Sequence, residues 1–390
     1  MIYLDHAATT PVPKAVADAM YTVLTEEFGN PSAQYPMGQE MHRRVDAWRA
    51  VIAGAVGCEA KQLYFTSCGT ESDNWAIRAA CWQNRHTGRH IVTTAVEHHA
   101  VLNCCQQLEQ EGWEVTRILP DRNGDISTEA VLAAVRPDTA LVSVMMVNNE
   151  LGNIYPIADI ARGLKAVNDK TLLHTDAVQG FLKIPFSART LGADFITLSG
   201  HKIGAPKGIG ALYIGPRVRN PRPLLPGGGQ ERGLRSGTEP VFLAAGFARA
   251  VELAQAEHEE TLTHVRALSL QIRAELARLV PDAIVNSPED ASPFIVSVSV
   301  PGLRNAKSVA YLSDRGVYVS RASACESNHE HVAAGTWRKK HPLSLQAAGI
   351  PLSQGNTTLR VSFSGATTPD DVDCFVATLA ECNAELGSRK

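Results

Sequence analysis

The sequence predicts an α/β protein, with a large unit built on a mostly parallel sheet flanked by helices and a smaller α+β unit after it. Three observations carry this. The chain has 390 residues, more than a single hydrophobic core usually serves. From residue 62 to 214, short β-rich runs alternate with helical stretches, the pattern of strands covered on both faces. Beyond about residue 255 that alternation stops, and strands and helices follow in a different order.

Residues 14–28 and 38–56 read as helices, the second because Met41, Val45, Trp48, Ile52 and Val56 recur at helical spacing. The strand runs are Leu63 to Thr66, His90 to Thr93, Thr139 to Val147, Leu172 to Asp176, Asp194 to Leu198 and Gly210 to Ile214. Helical stretches lie between them near 70–84, 100–111 and 157–168. Sheets of this kind bind ligands beyond the carboxyl ends of their strands, so the chemistry is expected there. A Pro- and Gly-rich stretch, Pro221 to Gly233, closes the region, and a helical tract runs from about 240 to 280. Strands follow at Phe294–Val300, Val317–Ser320 and Thr358–Phe363, with helices near 305–315 and 369–386. The last helix has Thr368 as N-cap and Pro369 at its first position. The expected division is 15–255 for the large domain and 256–390 for the small one, joined by the N-terminal segment 1–14. No internal repeat or low-complexity tail is present.

Hydrophobic residues make up 44% and charged residues 20%, the composition of an ordinary globular protein. A formal charge of −3 gives no electrostatic reason to expect a nucleic-acid or membrane partner. No apolar run approaches the roughly 20 residues of a spanning helix, and the opening Met1-Ile2-Tyr3-Leu4-Asp5-His6 does not read as a signal peptide. The eight cysteines are scattered and form no CxxC pair, so a reducing cytoplasm is expected.

Lys202 follows the strand run Phe195-Ile196-Thr197-Leu198-Ser199 through Gly200-His201. A lysine there can form an imine with an aldehyde cofactor if its surroundings keep the amine partly neutral; alone, it reads more readily as an exposed loop residue. Asp176 ends the run Leu172-Leu173-His174-Thr175, where a carboxylate can hold a pyridine nitrogen protonated. In Thr66-Ser67-Cys68-Gly69-Thr70-Glu71 a strand turns into a helix, whose start offers Gly69 and Thr70 to a phosphate. Phosphate cup, carboxylate and lysine, in that order in one α/β sheet, point to pyridoxal 5′-phosphate (PLP).

These residues resemble the cysteine desulfurases of the NifS/IscS kind, among the class V aminotransferases of PLP fold type I. The resemblance runs nearly end to end. It includes Tyr3 to Thr10, Gly29-Asn30-Pro31-Ser32, Glu97-His98-His99-Ala100-Val101, Val147 to Gly152 and Asp176-Ala177-Val178-Gln179. It continues in Ser199-Gly200-His201-Lys202, Gly227 to Gly233, Arg235-Ser236-Gly237-Thr238 and Ser323-Ala324-Cys325. It implies a seven-stranded sheet in the large domain, Lys202 as the cofactor lysine and His98 stacked on the ring. It places Asp176 on the ring nitrogen, and Gln179 and Asn149 near the ring hydroxyl and substrate. Gly69, Thr70, Ser199 and His201 would hold the phosphate, with Thr238 reaching it from a second subunit of a homodimer. Arg360, assisted by Asn30 and Asn149, would clamp the substrate carboxylate, a task suited to a guanidinium fork. Outside the resemblance each has a plainer role: His98 a helix-start residue, Arg360 paired with a carboxylate such as Asp370, and the amides turn or cap residues.

Buried structural cysteines sit in apolar runs, as Cys374 does in Val372-Asp373-Cys374-Phe375-Val376. Cys325 instead lies among Ser323, Ala324, Glu326, Ser327 and Asn328, before a stretch of little periodicity from Glu326 to Gly355. The resemblance makes it the nucleophile that takes sulfur from L-cysteine as a persulfide, leaving alanine, for transfer to an acceptor protein docking near it. His329, His331 and His341 fit no compact zinc spacing, so no metal is expected. The chain departs from the family where Gln34 is followed by Tyr35, which alters part of the substrate pocket, and where Cys68 stands beside the phosphate cup in place of a glycine. The alternatives are a selenocysteine lyase, another class V PLP enzyme, or a non-catalytic sulfur carrier or scaffold on the same fold.

Overall fold

The computed structural model describes residues 1–321 and 343–387. Its chain begins with β1 (Ile2–Tyr3), α1 (Lys14–Thr25) and α2 (Pro36–Val56). An alternating region follows: β2 (Leu63–Thr66), α3 (Gly69–Asn84), β3 (His90–Thr94), α4 (His99–Gln110), β4 (Glu114–Ile118) and α5 (Thr128–Ala133). It continues through β5 (Thr139–Ser143), α6 (Ile157–Val167), β6 (Leu172–Asp176), α7 (Ala188–Leu191), β7 (Phe195–Ser199) and β8 (Gly210–Ile214). Strands β2 to β8 form the seven-stranded sheet, in the order β2-β8-β7-β6-β5-β3-β4. Every pairing from β4 to β7 is parallel, and β8 runs antiparallel between β7 and β2. The carboxyl ends of β2, β3, β5, β6 and β7 therefore share one edge.

Alternating side chains explain why this sheet is buried on both faces. Leu63, Phe65, Val142, Leu173 and Ile196 join one apolar cluster with α1, α2, α6 and residues 244–251. Tyr64, Leu141, Leu172, Phe195 and Leu212 join another with α3 and α4.

Helices α8 (Val241–Ala256) and α9 (His258–Leu279) lead to β9 (Ile284–Val285), β10 (Ile295–Ser299), α10 (Asn305–Asp314) and β11 (Val317–Tyr318). Helices α11 (Leu343–Ala347) and α12 (Leu352–Gly355), β12 (Thr358–Ser362) and α13 (Pro369–Leu386) end the described chain. A three-stranded antiparallel sheet, β12-β10-β9, packs with α9 and α13 around a third core. The N-terminal segment reaches that core: β1 pairs in parallel with β11, and Leu4 and Ala7 are buried within it.

The structure differs from the sequence reading in several details. The tract 240–280 is two helices, broken at Glu257. The run from Thr139 stays strand only to Ser143, because Asn148 and its neighbours turn, with the Asn148 Oδ1 accepting from the N–H groups of Glu150 and Leu151. Strand β4 was not foreseen, since an edge strand reading Glu-Val-Thr-Arg-Ile has no buried apolar run to announce it. Helix α1 stops at Thr25, short of residue 28. Cys374 is exposed on α13, whereas Cys382 is buried on the same helix. No described cysteine forms a disulfide.

Candidate active site

Strand β6 delivers Asp176 to the shared edge, where its carboxyl is 5% exposed. Its Oδ1 accepts from the Val178 N–H at 2.8 Å. Burial, reinforced by the negative charge of Asp73, raises its pKa to about 7. Asp73, in the second turn of α3, is raised to about 7 by burial as well. His98 is the N-cap of α4, and its Nδ1 accepts from the Ala100 N–H at 3.2 Å. Burial first, then the charges of His99 and Lys202, lower its pKa to about 4. The ring is therefore neutral near pH 7 with its proton on Nε2. Ligand-type atoms of Asp73, His98 and Asp176 all lie within 4.8 Å of one another, so three elements remote in sequence converge on one small space.

Lys202 closes a short 3-10 turn, Gly200–Lys202, directly after β7. Its Nζ donates to the carbonyls of Ala7 and Ala8, each at 2.7 Å. The same N-terminal segment ties down the rest of that turn. Thr10 donates to the His201 carbonyl through N–H and Oγ1, and its Oγ1 accepts from the Gly204 N–H. The His201 Nδ1 lies 3.2 Å from the Thr9 Oγ1, and burial above all pushes its pKa down to about 3. Gln179 donates from Nε2 to the Ala7 carbonyl at 2.9 Å, so this carbonyl receives both Gln179 and Lys202.

Helix α3 starts without a side-chain cap at Cys68, which leaves first-turn N–H groups for an anion. A Cβ placed on Gly69 would stand 2.9 Å from the Val178 Cγ2 and 3.5 Å from the Ser199 Cβ, so Val178 packs too closely on the helix start for a side chain at this position. Ser199 is buried at the end of β7, and Thr70 is exposed. Nearby, Glu71 is held by Arg235 at 2.8 Å and accepts from Ser67, which keeps its carboxylate charge occupied and its pKa below the usual range.

Arg360, on β12, is 2% exposed and donates to the Asn149 carbonyl at 2.8 Å and to the Asp5 Oδ1 at 2.9 Å, while its Nε has no partner among the described residues. Its carboxylate partner is thus Asp5 of the N-terminal segment rather than Asp370. Asn149 is buried beside it, whereas the Asn148 side chain is fully engaged in structural bonds to Val96, Ser344, Glu150 and Leu151. Asn30 is exposed, its Oδ1 accepting from the Ser32 N–H in a local turn. Thr238 is also exposed. Cys325, His329, His331 and His341 lie outside the described residues.

Lys202, His98, Asp176, Gln179, His201, Ser199 and Gly69 are therefore gathered at one edge of the sheet. Sequence reasoning missed Asp73, Asp5 and the carbonyls of Ala7 and Ala8. A backbone carbonyl carries no residue signature, and Asp73 reads as an ordinary polar position on a helix. A groove of about 670 Å³ along α3, lined by Trp75, Arg78, Trp82 and Arg222, shares no lining residue with this site.

A strand-end lysine, a buried strand-end carboxylate and an uncapped helix start on an open α/β sheet define the site class of a PLP enzyme, and the chain belongs to the class V aminotransferase family, whose pattern matches residues 2–375. Within that family it is similar to cysteine desulfurase IscS of Methanosarcina thermophila, 39% identical over 385 residues, covering 99% of this chain and 92% of the relative. A solved NifS-like protein superposes with a TM-score of 0.90 at 35% identity, covering 99% of this chain and all of that one. The structure of SspA in complex with cysteine superposes at 0.80 with 32% identity, covering 94% of this chain and all of that one.

Proposed function

We infer that this chain is a cysteine desulfurase, a PLP-dependent enzyme that takes sulfur from L-cysteine and releases L-alanine. The convergence of Lys202, His98 and Asp176 at one sheet edge carries the reading, supported by full-length likeness to cysteine desulfurases and to SspA, a relative solved with cysteine.

The residues fit PLP on three structural grounds. Asp176 is a buried carboxylate that pairs with no charged base among the described residues, so a protonated ring nitrogen would supply its missing counter-charge. The uncapped start of α3, with Gly69 carrying no side chain over its first N–H groups, suits a phosphate. The Lys202 amine is held by two carbonyls at the same edge. Ser199, His201 and Thr70, with Thr238 of a second subunit in a homodimer, are the proposed further phosphate ligands.

Held through its aldehyde by Lys202 until the substrate amine takes that place, PLP would supply an electron sink that acidifies the substrate Cα–H. The Lys202 Nζ so released takes that proton, and the neutral His98 exchanges a proton with the substrate thiol. Arg360 and Asn149, with Asn30, orient the substrate carboxylate; the Arg360 Nε is the guanidinium nitrogen with no partner among the described residues. The Cys325 thiolate then attacks the substrate sulfur. A new S–S bond forms as the Cβ–S bond breaks, and the electron pair passes to carbon, which is protonated to alanine. The persulfide on Cys325 passes to a sulfur-acceptor protein docking near it, such as one serving iron–sulfur cluster assembly or tRNA thiolation, in the cytoplasm. No helix among the described residues is long and apolar enough to cross a membrane.

Incubation with L-cysteine, followed by mass spectrometry, should show alanine and a persulfide on Cys325. Cys325→Ser should keep the visible cofactor band and release no sulfide. Normal sulfide output from that variant would overturn the role given to Cys325.

A further inference from the structure

Lysine is rarely fully buried without an anionic partner, because desolvation penalises its charge. Lys183 is 7% exposed, and no ion pair of the described residues includes it. Its side chain lies 5.8 Å from the centre of the Phe294 ring, at the start of the small-sheet strand β10. The charged and titratable groups facing it are of its own sign or neutral: Lys202, Arg360, His6 and His201. Burial, then Lys202 and Arg360, lower its pKa to about 7. Leu182, the residue before it, holds the left-handed conformation at φ 56°, which a leucine seldom adopts.

What Lys183 does in this dry position is make one hydrogen bond, from Nζ to the Gln179 Oε1 at 3.0 Å. That bond has a directional consequence. The two ends of a glutamine amide have nearly the same shape and opposite hydrogen-bonding roles. A donor fixed on Oε1 forces Nε2 to face the other way, and there it donates to the Ala7 carbonyl at 2.9 Å. The same carbonyl receives the Lys202 Nζ at 2.7 Å. A continuous chain, Lys183 to Gln179 to the Ala7 carbonyl to Lys202, thus runs from the interior to the half-buried reactive amine.

We propose that Lys183 is a positioning residue, which fixes the amide of Gln179 and, through the shared Ala7 carbonyl, the amine of Lys202 in the arrangement the cofactor site uses. The proposal rests on the reading of Lys202 as the PLP lysine. It explains why an apolar residue of similar length would not serve: hydrocarbon would be more comfortable in this position but would leave the buried Gln179 Oε1 without its donor and the amide held at its Nε2 end alone.

The test compares purified holoprotein carrying Lys183→Met, Lys183→Arg, Gln179→Leu or the double change Lys183→Met/Gln179→Leu with the wild type. Three quantities are read: the dissociation constant of PLP, the pH midpoint of its visible band, and the thermal midpoint. Lys183→Met should hold or raise the thermal midpoint, since it removes a desolvated amine, while weakening PLP about tenfold, the effect of one well-placed buried hydrogen bond. The band's pH midpoint should rise by about one unit as a positive charge near Lys202 is lost. Lys183→Arg, which still donates, should recover part of both. In the Gln179→Leu background the Met change should shift neither. Lys183→Gln, whose shorter side chain stops before Gln179, gives the same readout should the Met variant not fold. Wild-type binding and midpoint in Lys183→Met, a drop in thermal midpoint with no spectral change, or full additivity in the double variant would each overturn the proposal. A wild-type protein with no visible band would overturn the Lys202 reading and this proposal together, whereas a normal band left unmoved by the variants overturns this one alone.

Discussion

Asp73 and Asp176 are buried carboxylates a short distance apart, and the base nearest Asp73, His174 at 3.4 Å, has its own pKa pushed down to about 4 and is neutral near pH 7. Each aspartate has a folded-state pKa of about 7 against 3.8 for a solvated aspartate side chain. The folded state therefore binds these protons more tightly than the unfolded one. The stability they contribute is fully present below pH 3.8 and is lost as pH rises through about 7. The neutral histidines His6, His98 and His174 act in the opposite sense, costing stability as pH falls from 6.5 through about 4. The difference between two proteins isolates the carboxylate. In cofactor-free protein, Asp73→Asn should gain in thermal midpoint relative to wild type as pH rises from 4 to 8, and equal differences at the two ends would sink the assignment. Asp176→Asn in the loaded enzyme should lower kcat by about 10²–10³-fold, as when one preorganised electrostatic group is lost, with steady-state alanine production as the measurement.

At the scale of elements, the site depends on how one helix begins. Helix α3 has a glycine at its first position because any Cβ there would press on Val178. Gly69→Ala should therefore weaken PLP by tenfold or more, by pushing the start of α3 off Val178, while leaving the fold intact; equilibrium dialysis and far-UV circular dichroism separate the two effects. Helix α13 begins with a capping box, in which the Thr368 side chain accepts from the Asp371 N–H and the Asp371 carboxylate accepts from the Thr368 N–H. Thr368→Ala should cost about 1 kcal/mol, visible as a lower denaturant midpoint with unchanged activity, since α13 contributes no side chain to the site. This cap was legible from Thr368-Pro369 alone. The ends of β2, β6 and β8 were legible too, because buried strands are continuous apolar runs closed by polar or glycine residues. The edge strand β4 was not, having one face and one side unpaired.

At the scale of the whole molecule, the glycine-rich stretch that looked like a simple closing loop makes a buried tie. Arg49 of α2 grips Glu231 with two bonds at 2.7 and 2.8 Å, and the Phe65 N–H of β2 donates to the same carboxylate at 2.9 Å. Glu231 and Arg232 adopt left-handed backbone, φ 46° and 58°, to bring this about. Glu231→Gln should destabilise by about 3–5 kcal/mol, because it strands a buried guanidinium; Arg49→Met with Glu231→Leu should recover part of that loss in urea unfolding. Residues 15–255 and 256–390 are proposed as two units bridged by 1–14, a segment that buries Leu4 and Ala7 in one core while its carbonyls hold Lys202 on the other. Limited proteolysis cutting first near Glu257, between α8 and α9, would support that division, and cleavage confined elsewhere would count against it.

The sequence by itself determined the class of fold and the chemical identity of the site. Strand and helix periods, Lys202 and Asp176 at strand ends, and Gly69 at a helix start are local patterns, written in neighbouring residues. Tertiary structure alone decided which groups meet there. Asp5 on Arg360, Asp73 behind Asp176, and the Ala7 carbonyl shared by Gln179 and Lys202 join residues tens to hundreds of positions apart. The shifted pKa values belong with these, because desolvation and Coulomb interaction depend on burial and distance, which no local pattern encodes.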